Sequence, residues 1–215
     1  MPFVLTVDQR RSRRSTDLVD VTIDEATALT EALVLPFERT AGDEFQGVVA
    51  HASDALVVTL HLTRSGQWST GVGVGAIEPG ASTRSSRGPA FLHARNAVEL
   101  AKRRPHHVAI RGPGTDDGSD AATTATTETL DSRAGQADAL ATMLAAVVAR
   151  RTDPGWEAVD LIASGSTIAD AATTLNVSRQ SIGQRLAVAL WREELDVRQV
   201  AERLLTEAES QGANR

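Results

Sequence analysis

The stretch Arg39-Thr40-Ala41-Gly42-Asp43-Glu44-Phe45-Gln46-Gly47 constrains this chain more than any other. It sets two acids between apolar, β-prone runs, Leu33-Val34-Leu35-Pro36-Phe37 before and Val48-Val49 after. Gly42 permits a tight backbone, so the pattern predicts a β-hairpin with Asp43 and Glu44 at its tip. A further acid, Asp8, ends the short apolar strand that begins at Phe3. An acid on a strand end beside acids on a hairpin is a donor set for magnesium over a phosphate. Asp8, Asp43 and Glu44 are therefore the candidate metal ligands.

The chain has 215 residues, enough for one large or two small domains with a buried core, and two are expected here. No apolar run approaches the roughly 20 residues of a membrane span. The first apolar run meets Arg10-Arg11 and lacks the order of a secretory signal, so a cytoplasmic protein is expected. The absence of cysteine excludes disulfides, thiolate metal sites and thiol catalysis. A formal net charge of -6 argues against a protein that coats nucleic acid through bulk positive potential. Any DNA contact must be local.

After the first strand, Gln9 to Ser15 is a basic run that is either a solvated loop or a phosphate clamp, with Arg10 and Arg11 placed beside Asp8. Val21 to Leu33 carries helical apolar spacing behind the cap candidates Thr22 and Asp24, and Ser53 to Leu62 also predicts a helix. Trp68 to Gly75 alternates glycine with valine. The Lys-Ser/Thr of a phosphate loop is missing, so this stretch predicts a strand on which another backbone packs closely. Pro79 to Gly88 is a polar loop whose Arg87 offers a second phosphate contact, and Gly88-Pro89 opens a helix running to Arg103. His107 to Ile110 predicts the last strand of a first domain, residues 1–111. His106 and His107 are read as strand-edge residues.

Residues 112–135, rich in Gly, Asp, Thr and Ala, are expected to be a linker or elaborated loop before a helical domain at 136–208. Within it, Ile168 to Ile182 has a helix-turn-helix arrangement. Ala172 is small where the helices cross, Asn176 takes the turn position that needs a left-handed backbone, and Val177 and Ile182 plug the core. Ser178 caps the second helix. That helix offers Arg179, Gln180, Ser181, Gln184 and Arg185 outward, residue types that reach base edges and phosphates in a major groove. The same three helices also suit a protein-docking module.

The element order and motifs of the first domain resemble the palm-type core of nucleotide cyclases. Ala41 to Phe45 resembles the Gly-Gly-Asp-Glu-Phe signature of diguanylate cyclases, and Gly71 to Gly75 followed by Gly88-Pro89-Ala90 resembles later motifs of class III cyclases. A closer resemblance is to the SatD-like bacterial family, through Asp8, Gly42 to Gly47, Gly71 to Gly75 and Gly88 to Ala90 in that order. This implies an α+β chain: a ferredoxin-like, cyclase-type palm domain followed by an all-α helix-turn-helix domain. It implies Asp8 and Asp43 as metal carboxylates, with Glu44 assisting or bonded structurally.

Two carboxylates about 4 Å apart repel by about 4 kcal/mol at an effective dielectric of 20, which a divalent cation, a proton or an arginine must offset. Magnesium with a nucleotide is one solution. Arg39, adjacent in sequence, is the metal-free alternative. On the helix where class III cyclases place Asn and Arg, the matching face here is Leu92, His93, Arg95 and Asn96, and Arg95 is the one phosphate candidate. Ala41 also replaces the first signature glycine. The expected function is a transcriptional regulator with a degenerate nucleotide or phosphate-ligand sensor, binding DNA as a homodimer because one short recognition helix on an acidic protein binds weakly alone. The rivals are a magnesium-dependent nucleotide cyclase or hydrolase acting at Asp8 and Asp43, and a protein-docking adaptor.

Overall fold

The computed structural model describes residues 2–115 and 130–213. The first half runs β1 (Phe3–Gln9), α1 (Val19–Ala28), β2 (Leu33–Ala41), β3 (Glu44–Val49), α2 (Ala52–Ser65), β4 (Trp68–Val74), α3 (Pro89–Ala101) and β5 (Val108–Arg111). The described part of the second half is helical: α4 (Arg133–Arg150), α5 (Asp153–Ala163), α6 (Ile168–Thr174), α7 (Arg179–Val188) and α8 (Trp191–Ala213). The chain is thus of the α+β type, one five-stranded sheet with helices, in the order β2-β3-β1-β4-β5. β1 pairs antiparallel with both β3 and β4, and β5 joins β4 in parallel. No described helix is long and apolar enough to cross a membrane.

Alternation along β1 sends its residues to two different layers. Phe3, Leu5 and Val7 join the large core under α2, whereas Val4 joins Ala90 and Ala94 of α3 on the opposite face. The Gly–Val strand allows that second layer to sit unusually close. A Cβ on Gly71 would lie 2.2 Å from the Val98 amide nitrogen, and one on Gly73 would lie 2.0 Å from the Ala90 carbonyl oxygen. The backbone of α3 rests on β4 itself, as the sequence pattern predicts.

Helices that follow residue 111 pack directly on the sheet. α4 places Ala134, Ala137, Ala141, Leu144 and Val148 in the same core as Phe3, Leu56 and Ile110, and α8 adds Ala201, Leu205 and Ala208. Buried Asp138 reinforces the junction. It accepts two hydrogen bonds of 2.7 Å from Arg104 and one of 2.7 Å from the Ile110 amide. The sheet therefore buries its face with helices from both ends of the sequence, because α2 alone is too narrow to cover it. Among the described helices of the second half, α5, α6 and α7 form a cluster of their own, around Ala171, Ala172 and Ile182. Of the expected linker, residues 116–129 lie outside the described residues.

Local boundaries differ in two instructive places. α1 ends at Ala28, and Leu33 opens β2 instead of closing the helix. Asp54 does not cap α2, whose N-cap is His51. It accepts from the amides of Glu31 (3.2 Å) and Ala32 (3.3 Å), fixing the turn into β2. The carboxylate thus serves a tertiary contact and not the start of its own helix.

Candidate functional site

The hairpin forms as its sequence dictates. Gly42 adopts φ 58°, and β3 starts at Glu44. Register then places Asp8 directly opposite Glu44. Asp43 sits one step out of that pair, in the turn, where its carbonyl accepts from the Gln9 amide at 3.0 Å. The structure therefore brings Asp8 and Glu44 together on the face that α3 covers, and holds Asp43 in the adjoining turn.

Each of the two facing carboxylates has its own cation from α3. Lys102 Nζ lies 2.9 Å from Asp8 and 3.0 Å from Glu99, and Arg95 Nη1 lies 2.6 Å from Glu44. Thr40 Oγ1 also donates to Glu44 Oε1 at 2.9 Å. Partial burial acts against the Lys102 ammonium, but its hydrogen bonds to Asp8 and Glu99 hold its pKa above the ordinary lysine value. Lys102 was not legible as a partner of Asp8 from local sequence. The signal was there in α3, where Arg95, Glu99 and Lys102 recur at i, i+4 and i+7 and so share a face.

Arg39 is not the compensating cation. It turns to Asp17 at 2.8 and 2.9 Å and Asp20 at 3.1 Å, with a further bond to the Gly42 carbonyl at 2.9 Å. Its hydrogen bonds hold the Asp17 carboxyl below the usual carboxylate range. Among the described residues no group of three or more His, Asp or Glu side chains is arranged to hold a metal ion. Two carboxylates already compensated by Lys102 and Arg95, with the third out of register, do not fit a resident magnesium ion.

The phosphate candidates are dispersed. Arg10 and Arg11 leave β1 at the end where Gln9 pairs with Trp68, and Arg95 is engaged with Glu44. Arg87 is bridged to Glu78, past the end of β4 at Val74, which pairs with Phe3 at the far end of β1, on the order of 20 Å away along the strand. Of the remaining α3 positions, His93 bonds the Val74 carbonyl at 2.6 Å, while Leu92 is exposed.

The second candidate surface is α7. Asn176 has φ 52°, the left-handed turn that its sequence position requires, and Ser178 Oγ accepts from the Ser181 amide at 3.0 Å. Thr167 and Asp170 form a reciprocal capping box at the start of α6. Ile182 is fully buried, which turns Arg179, Gln180 and Gln184 to solvent with Ser181 half-buried beside them. Arg185 is tied to Glu157 of α5 at 3.0 Å. The surface is thus polar and cationic at its amino-terminal end and charge-compensated further along.

The two candidate surfaces are joined by a polar seam. Arg64 of α2 makes two bonds to Asp160 of α5, at 2.7 and 2.8 Å, and stacks on Trp156 at 3.9 Å. Arg151 stacks on the same ring at 4.3 Å and is buried against Glu194 of α8, which also takes Arg198 at 2.6 Å. Arg64, Arg151, Trp156 and Asp160 line a cleft of about 350 Å3. Sequence spacing gave no sign of this seam, since its partners lie far apart in the chain.

No protein-family model, curated protein or solved structure matches this chain.

Proposed function

We propose that this protein is a DNA-binding transcriptional regulator in which α7 enters the major groove and the sheet unit senses a phosphorylated ligand such as a nucleotide. The observation that carries this is the outward display of Arg179, Gln180 and Gln184 on a capped helix whose opposite side is anchored by Ile182. α7 contains no acid, and its amino-terminal residues are the types that contact base edges in helix-turn-helix proteins. For the sensor half, the β-α-β-β-α-β order of the first elements and the neighbour order β2-β3-β1-β4 support a ferredoxin-like palm. That fold likeness carries no activity by itself. Ion-paired Asp8 and Glu44 favour ligand sensing over catalysis at the hairpin.

A homodimer supplies the second half-site that one short helix on an acidic protein needs for useful affinity. The test is selection of a duplex from random sequence, followed by gel shift with Arg179→Ala. Loss of about 1–3 kcal/mol of specific binding is expected, with the melting temperature unchanged. Wild-type affinity in that variant, or no selected sequence at all, rejects the assignment of α7.

A further inference from the structure

The end of the sheet nearest α5 holds cations that neither α7 nor the hairpin uses. Arg10 lies opposite Gln67, whose carbonyl accepts from its amide at 2.8 Å, and its guanidinium donates to the Gly66 carbonyl at 2.7 Å. On the other side of β4, the His107 carbonyl accepts from the Thr70 amide at 2.8 Å, and His107 Nδ1 is 3.4 Å from Ser69 Oγ. These positions place Arg10 and His107 two strands apart, on the order of 12 Å between backbones, with Arg11 and His106 adjoining them.

Three observations set this cluster apart. First, the acids at this end are already taken, since both Asp8 and Glu99 are held by Lys102. Second, Arg11 and His107 have φ of 57° and 54°, two of only four described non-glycine residues in the left-handed region. Both belong to tight turns, Arg11 before Ser12–Arg14 and His107 after Arg104, and these turns fix where the side chains leave the sheet. Third, the charges that act on His107 come from Arg10, His106 and Arg11. Together with burial, which has the largest effect, they pull its pKa below the ordinary value despite a backbone bond at Ala101. Arg10 and Arg11 thus supply the positive charge at this end, with His107 favoured in its neutral form beside them.

The cluster is also connected to α7 by continuous contacts. Arg10 bonds Gly66 at the end of α2, Arg64 two residues earlier grips Asp160 of α5, and Glu157, one turn away on α5, holds Arg185 of α7. Along that path Arg64 and Arg185 are each neutralised by an acid. At the sheet end the path reaches the charges of Arg10 and Arg11.

We infer that Arg10, Arg11, His106 and His107 form a second contact for the sugar–phosphate backbone of the duplex that α7 reads. The inference rests on the DNA-binding reading and adds a sequence-independent clamp to it. Exposed Arg11 and half-buried Arg10, with two imidazoles beside them as hydrogen-bond donors, suit a polymer of phosphates, and they place positive charge locally on a chain whose net charge is -6.

The test is fluorescence anisotropy of the full chain with a random-sequence duplex and with the selected duplex, across a series of salt concentrations. Arg10→Gln with Arg11→Asn removes both charges while keeping a donor for Gly66 and a residue tolerant of left-handed backbone. Each lost phosphate contact lowers the log–log salt slope by about 0.9, so a decrease of about 1.8 is expected, equal on both duplexes. The charge-retaining pair Arg10→Lys with Arg11→Lys should keep the wild-type slope. A neutral variant with wild-type affinity and slope overturns the inference, as does a lysine pair that loses as much as the neutral one. If Arg179→Ala is silent while the neutral pair weakens binding, the α7 reading fails and the clamp stands. If only Arg179→Ala weakens binding, the reverse holds.

Discussion

The sheet unit and the α5–α7 unit are stabilised in different ways. Under the sheet, Phe3, Phe45, Leu5, Leu56, Leu62, Ile110, Leu144 and Leu205 are all fully buried, drawn from strands and helices across the whole chain. Each such side chain contributes about 1.5–3 kcal/mol through its burial. In the three-helix unit Ile182 is the one large side chain buried to that degree, with Ala171 and Ala172 beside it. Local devices carry more of the load there: the side chains of Thr152, Thr167 and Ser178 each cap a helix start. A small unit built on caps and alanines keeps most of its polar surface outward. A large unit built on distant apolar contacts holds fixed positions on its sheet.

The contrast breaks most readily at the junction. Glu194→Ala leaves Arg151 buried without its carboxylate, and the loss expected is about 3–5 kcal/mol, read as a lower denaturation midpoint with tryptophan fluorescence at Trp156 and Trp191. Gly73→Val should cost about 3 kcal/mol, since the added carbons meet the α3 backbone, which cannot yield as a side chain would. Near-wild-type stability in that variant would show that α3 is not seated as described. In the small unit, Ile182→Ala should cost about 2–4 kcal/mol. Hydrogen exchange should then quicken in α6 and α7 while β1 and β4 stay protected, and uniform loss of protection would mean that the two units unfold together. Ser178→Ala should cost about 1 kcal/mol and fray the start of α7.

The smallest effect is one of pH. His107 is held neutral in the folded chain, by burial first and then by Arg10 and the neighbouring cations. Its unfolded form takes a proton near 6.5, so its contribution is complete above that pH and is lost as the pH falls through the lower folded value. His107→Asn should therefore show a shallower fall in melting temperature between pH 7 and 5 than the wild type. Equal slopes would remove His107 from the sheet-end electrostatics.

Much of the fold was legible because its signals are local. The Gly42 turn, the cap at Ser178, the left-handed Asn176 and the close approach at Gly71 and Gly73 follow from residue types and spacing. The candidate site was only half legible. Asp8 and Glu44 do meet, but their partners Lys102 and Arg95 come from a helix that crosses the sheet, and Arg39, the neighbour in sequence, serves Asp17 instead.

By itself, then, the sequence determined the order of strands and helices, the turns at Gly42 and Asn176, the cap at Ser178 and the exposed chemistry of α7, since backbone sterics and hydrophobic period act over a few residues. Tertiary structure alone decided that α4 and α8 complete the sheet's core, that Asp138 and Arg151 are buried in ion pairs, and that Arg10 and His107 share one end of the sheet. Those outcomes depend on which surfaces remain to be covered once the elements exist, and on charges brought together from distant parts of the chain, which no local pattern records.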